Sequence, residues 1–175
     1  MDYHVKKTDE LYKGKVFNLV RQHILLPSGK HAEYDILQHP GAVTIVPIDS
    51  NTIFFVRQYR PATGGMLLEL PAGTLEKGES PELCAHRELR EEIGMDAVVL
   101  KKIGEFYLVP GYSTEYQYIY LAQDLSHSPL KGDDDEIIDV EPLPISQVIN
   151  MVNTGQFRDA KTLASLAMVL PMINI

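Results

Sequence analysis

The sequence predicts an α/β chain of the α+β mixed-sheet kind: a mixed sheet with helices packed on it, preceded by an N-terminal antiparallel β-hairpin sheet. Three observations carry this. Val-, Ile-, Phe- and Tyr-rich runs, broken by Pro, Gly, Ser, Asn and Asp, fill much of the chain. Segments with helix start and stop signals are few and fall after residue 80. The strands therefore do not alternate with helices as a doubly wound βαβ chain requires. At 175 residues and 45% hydrophobic content, one domain with a real core is expected.

From Lys15 to Gln38 the pattern reads strand, turn, strand: Val16 to Leu26 alternate, Pro27-Ser28-Gly29-Lys30 turn, and His31 to Leu37 return. Gly41 to Ile48 and Thr52 to Gln58, separated by Asp49-Ser50-Asn51, read as a second and more buried hairpin. Ser80 suits a helix N-cap, Pro81 the first helical position and Gly94 the stop, so a helix is predicted from about Pro81 to Ile93. Strands follow at Ala97 to Tyr107 and Tyr116 to Ala122, joined by a Pro-Gly loop from Leu108 to Glu115. After the acidic run Asp133 to Glu136 come a strand near Ile137 to Val140 and two helices, Gln147 to Thr154 and Ala160 to Leu170. Ser146 is the expected cap of the first and Gly155 its stop.

The formal charge of −8 speaks against broad nucleic-acid binding, whose affinity comes from Lys and Arg displacing counterions. The charged N-terminal residues, and the lack of any apolar run near 18 residues, speak against a signal peptide or membrane span. A single cysteine, Cys84, forms no intramolecular disulfide, and no CxxC or HExxH spacing is present to hold zinc. A cytoplasmic protein without membrane or nucleic-acid partners is expected. In so acidic a chain, a charged small substrate needs metal ions or local arginines.

The chemistry points to the first helix. Glu88, Glu91 and Glu92 sit at offsets i, i+3 and i+4 and share one narrow face, where like charges repel unless a cation compensates. Ala85, Leu89 and Ile93 form an adjacent apolar stripe, so the acidic face borders packed structure. Arg87, four residues before Glu91, can pair with it. Oxygen-only ligands favour Mg²⁺ or Mn²⁺. Three glutamates alone are ordinarily a solvated face.

The wider spacing is more specific. Gly73, five residues, Glu79, seven residues, Arg87-Glu88-Leu89, one residue, Glu91-Glu92, one residue, Gly94-Met95: all nine defining positions of GX5EX7REUXEEXGU match within 23 residues. This resembles the Nudix box. The resemblance implies a Nudix α/β/α sandwich, a metal-dependent pyrophosphohydrolase, and a metal site of Glu88, Glu92, Glu91 and the backbone carbonyl of Ala72. Arg87 and Glu79 are similar to the pair that fixes the loop against the helix. Asp133-Asp134-Asp135-Glu136 supplies candidate general bases; by its place before the next strand, Glu136 resembles the base of ADP-ribose pyrophosphatases, with Asp134 and Glu91 as alternatives.

Pro110, 15 residues after Met95, resembles the ADP-ribose pyrophosphatase subgroup, and Pro110-Gly111-Tyr112-Ser113-Thr114-Glu115 its substrate loop. Val56-Arg57-Gln58-Tyr59-Arg60-Pro61 is similar to the segment from which that subgroup reaches the diphosphate; Arg60 is the first choice and Arg57 the second. The second hairpin strand, with His31, Glu33, Tyr34 and Asp35, lacks the arginine the subgroup carries there. Residues 1–39 resemble the subgroup's dimerisation hairpin, with Tyr12, Phe17 and Tyr34 as aromatic candidates, and residues 40–175 its catalytic domain. The resemblance thus implies a homodimer that uses Mg²⁺ to split ADP-ribose or another nucleoside diphosphate sugar. A dinucleoside polyphosphate or damaged-nucleotide pyrophosphatase, or a non-catalytic ADP-ribose-sensing module, are the alternatives.

Overall fold

The computed structural model describes residues 2–132 and 137–173. The chain divides into two compact units, one of Met1–Gly41 with Phe106–Tyr116 and one of Ala42–Glu105 with Gln117–Ile175.

In the first unit three antiparallel strands, β1 (His4–Lys13), β2 (Asn18–Leu25) and β3 (His31–Gln38), lie in the order β1-β2-β3. Gly29, at φ +79°, takes the left-handed position in the β2–β3 turn, where its N–H donates to Leu26 O at 2.9 Å. The β2–β3 hairpin is the one the alternation predicts. β1 was not legible, because its ten residues are mostly polar and all but one are exposed. The backbone ladder to β2 holds it instead, with Asp9 bonded to Lys7 of the same strand at 2.7 Å and to His23 of β2 at 2.8 Å.

In the second unit a seven-stranded sheet runs β10 (Ile138–Pro144), β5 (Thr52–Arg60), β4 (Ala42–Asp49), β9 (Tyr116–His127), β8 (Met95–Tyr107), with β6 (Gly65–Glu69) on β5 and β7 (Ala72–Thr74) on β4. β4 pairs parallel with β9 and antiparallel with β5 and β7, so the sheet is mixed as expected. β4 reads as a near-continuous apolar run because both of its faces are covered. Ile48, Ile53, Phe55 and Leu121 pack on α2 (Ile145–Asn153) and α3 (Ala160–Val169). Val43, Ile45, Val56 and Tyr120 pack on α1 (Pro81–Glu92). Helices therefore cover both sheet faces.

One cap differs from expectation. α2 starts at Ile145 straight after Pro144, with no side-chain cap, and Ser146 lies inside the helix. The strand-to-helix junction is fixed by the backbone instead, Ile145 N–H donating to Asn51 O at 3.0 Å while its side chain is buried. Gly155, at φ +65°, ends the segment as predicted. Among the described residues, no helix is long and apolar enough to cross a membrane.

Candidate active site

Helix α1 begins where the sequence places it: Ser80 Oγ accepts from Leu83 N–H at 3.3 Å and Pro81 opens the first turn. Gly94, at φ +69°, closes it. Cys84, Ala85, Leu89 and Ile93 bury one face against Val43, Ile45 and Val56, which fixes the roll of the helix about its axis. Its acidic residues are thereby brought to the margin of the core, with Glu88 only 7% and Glu92 only 8% exposed.

Arg87 organises the loop before the helix. Its guanidinium donates to Glu79 Oε1 and Oε2 at 2.9 and 3.0 Å, to Glu88 Oε1 at 2.6 Å, to Glu91 Oε2 at 2.9 Å and to the Thr74 carbonyl at 3.2 Å. The hydrogen bonds from Arg87 hold the Glu79 carboxyl below its ordinary range, and those to Glu79 raise the guanidinium in turn. Glu79 Oε2 also accepts from Glu76 N–H at 3.0 Å, so this carboxylate ties loop to helix. Cys84 is sealed beneath them, its thiol pushed up by burial, and serves as packing.

β7 approaches the helix from the other side. Ala72 N–H donates to Glu92 Oε2 at 3.0 Å, and a Cβ built on Gly73 would fall 1.6 Å from Glu88 Oε1. Only glycine leaves that carboxylate its present place.

Four carboxylates, Glu79, Glu88, Glu91 and Glu92, thus stand together on this loop and helix, three of them bonded to Arg87 and Glu92 to Ala72 N–H, so that carboxylates outnumber the guanidinium. Such an excess, offered by oxygen donors alone, fits a hard divalent cation such as Mg²⁺ or Mn²⁺. Among the described residues no three acidic, His or Cys side chains yet converge as a ligand set. Oxygens of Glu88 and Glu91 are turned onto Arg87.

The two candidate arginines of β5 part company by strand alternation. Val56, two residues from Gln58 and four from Arg60, faces the α1 core. Arg60 lies on that side and pairs with Glu69 at 2.8 Å through both Nε and Nη2. Arg57 points to the opposite face and donates to Glu141 Oε2 at 2.8 and 2.7 Å. Sequence reasoning missed Glu69 and its second partner Lys161, which comes from α3. The only signal was one carboxylate set in the apolar run Met66 to Leu70.

Pro110, Tyr112 and Glu115 belong to the first unit. There the loop is pinned to β3 by Leu37 N–H to Tyr112 O at 2.8 Å and Thr114 N–H to Leu37 O at 2.9 Å. Pro110 and Tyr112 line a cavity of about 490 Å³ with Tyr3, Ile24, Tyr34 and Tyr107. Of the aromatic candidates, Tyr34 reaches this cavity, whereas Tyr12 and Phe17 pack on each other with ring centres 6.2 Å apart. Glu115 does not line it; its N–H donates to Ser113 Oγ at 3.1 Å. The candidate bases Glu136 and Asp134 lie outside the described residues.

A model of the NUDIX domain matches residues 38–166. The chain is 38% identical over 157 residues to the ADP-ribose pyrophosphatase of Bacillus subtilis (strain 168), spanning 88% of this chain and 85% of that one. It is 40% identical over 143 residues to the GDP-mannose pyrophosphatase of Salmonella paratyphi B, spanning 75% of this chain and 74% of that one. A crystal structure of an ADP compounds hydrolase shares the fold, with a TM-score of 0.87 at 24% identity over 98% of this chain and 94% of that chain.

Proposed function

The chain belongs to the NUDIX domain family, and from that premise we propose that it is a pyrophosphohydrolase that splits nucleoside diphosphate sugars, with ADP-ribose as its first substrate. Water adds across the P–O–P bond, giving AMP and ribose 5-phosphate. The observation that carries the reading is the cluster on α1, where partly buried carboxylates outnumber Arg87 and β7 leaves room for Glu88 at Gly73.

Glu88 and Glu92, with Glu91 and the Ala72 carbonyl, would hold Mg²⁺ or Mn²⁺. The cation would neutralise the anionic phosphate oxygens and ease attack by water. Arg87 keeps the loop and two of the carboxylates in register, Arg60 offers a guanidinium to the diphosphate, and Glu136 takes the proton from the attacking water. Pro110, Tyr112 and Glu115 are assigned to the sugar end, and Arg57 to a supporting place at most.

ADP-ribose is put first because of the relative in Bacillus subtilis, and GDP-mannose second because of the relative in Salmonella. Turnover of ADP-ribose, GDP-mannose, a diadenosine polyphosphate and 8-oxo-dGTP, compared at equal concentration with Mg²⁺, ranks them. A preference for either of the last two substrates would refute the sugar-nucleotide reading.

The same reading makes the protein a cytoplasmic homodimer. Tyr3, Val5, Leu11, Tyr12, Val16 and Phe17 expose apolar side chains in and beside β1, the kind of surface a second copy covers. A monomer mass by light scattering would contradict the pairing.

A further inference from the structure

Glu69 is the most deeply buried carboxylate among the described residues, 1% exposed, and it carries two cations. Arg60 grips it in a bidentate fork, both bonds 2.8 Å, and Lys161 of α3 donates to the same Oε2 that Arg60 Nη2 uses. Lys161 is held in turn by Asp159 Oδ2 at 3.0 Å, the oxygen that caps α3 through Thr162 N–H at 3.0 Å and accepts from Thr162 Oγ1 at 2.6 Å. Thr162 Oγ1 then accepts from Leu70 N–H at 2.9 Å, which returns the chain of bonds to the residue after Glu69.

The backbone of Arg60 is fixed as well, its carbonyl accepting from Thr63 N–H at 3.0 Å and Gly64 N–H at 3.1 Å in the turn that follows β5. The side chain as a whole is 36% exposed, and Nη1 makes no bond among the described residues. A guanidinium has five N–H donors in one plane, so a fork that consumes two of them on Glu69 aims the rest in a set direction. The Glu69 hydrogen bonds, and more weakly the charge of Glu92 on α1, hold the Arg60 guanidinium firmly protonated.

We infer that Glu69, itself clamped by Lys161 and the Asp159 cap of α3, is a positioning residue that fixes the Arg60 guanidinium for a substrate diphosphate. This rests on the reading that Arg60 meets the diphosphate. Asp159 balances Lys161, so the network of two cations and two carboxylates supplies direction, holding the N–H groups that the fork leaves over in one orientation. Burial pushes the Glu69 carboxyl up, but Arg60 and Lys161 outweigh it and the group stays below its ordinary range, hence ionised. A device that served only to join α3 to β6 would need Lys161 and Asp159 but not a half-exposed arginine with an unused edge.

The test is a double-mutant cycle on the affinity of the full chain for non-hydrolysable α,β-methylene ADP-ribose with Mg²⁺, measured by calorimetry, with ADP-ribose turnover of the unaltered protein followed in parallel. Glu69→Gln should raise Kd at least about fivefold in the wild-type background and less than about twofold in an Arg60→Ala background, since its effect passes through Arg60. Arg60→Lys, which keeps the charge but cannot fork onto Glu69 and still present a donor, should weaken binding nearly as much as Arg60→Ala, and it decides the matter if Glu69→Gln fails to fold. An equal effect of Glu69→Gln in both backgrounds, full affinity in Arg60→Lys, or no binding by the unaltered protein would each overturn the inference. Additive effects in an enzyme that hydrolyses ADP-ribose would remove the inference and leave the proposed function. Coupled effects without turnover would do the reverse.

Discussion

Gly73 stands so close to Glu88 that a Cβ at position 73 would lie 1.6 Å from Oε1 of that carboxylate. The Cβ would also fall 1.8 Å from Cδ and 2.5 Å from Cγ of Glu88, a buried side chain bound to Arg87, although residue 73 does not sit in the left-handed region. Gly73→Ala should therefore cost about 1–3 kcal/mol of stability while driving Glu88 off its place. Activity should fall at least about tenfold and the Mg²⁺ concentration for half-maximal rate should rise. A variant that melts normally and works normally would mean that the position of Glu88 does not matter.

His39 makes the first unit sensitive to acid. Burial holds its imidazole below the ordinary histidine range, only partly offset by the charge of Glu115, and Nδ1 accepts from Gly41 N–H at 3.1 Å, which requires the neutral form. A depressed folded-state pKa means that the stability is fully present above the unfolded value of about 6.5. It is lost as pH falls from there through the folded value. Thermal melts at pH 8 and pH 5 should show a larger drop for the wild type than for His39→Asn, whose side-chain oxygen replaces Nδ1 as acceptor. Equal drops would assign the acid sensitivity elsewhere.

The acidic segment offers a separate test of proton transfer. Glu136→Gln should lower kcat by roughly a hundred- to ten-thousandfold, the usual span for a general base, and leave Mg²⁺ affinity nearly unchanged. Normal turnover by both Glu136→Gln and Asp134→Asn would send the search for the base to Glu91 or Glu115.

Local chemistry was legible in the sequence and long-range partnership was not. Ser80, Pro81, Gly94 and the stripe Ala85-Leu89-Ile93 announce α1, because caps and periodicity are encoded within a few residues. The i, i+4 spacing announces the Arg87–Glu91 pair and the resemblance to the Nudix box the Arg87–Glu79 pair, and both are present. Arg60 and Arg57 could not be told apart without knowing which face of β5 meets α1, and the packing of Val56 supplies that. Glu69 and Lys161 stand 92 residues apart, so no local pattern joins them. β1 was hidden for a different reason: it is held by its backbone ladder to β2 on an exposed surface, and alternation has nothing buried to report.

The central claim is that carboxylates of α1 hold the cation on which cleavage of a sugar nucleotide depends. Its most direct measurement is the release of AMP and ribose 5-phosphate from ADP-ribose by the wild type, Glu88→Gln and Glu92→Gln across a Mg²⁺ titration, with a chelator control. The account predicts equal amounts of the two products, no turnover in chelator, and a loss of at least about a hundredfold in kcat for each variant with the fold intact. Near-normal turnover in both variants, or cleavage that persists in chelator, would contradict it.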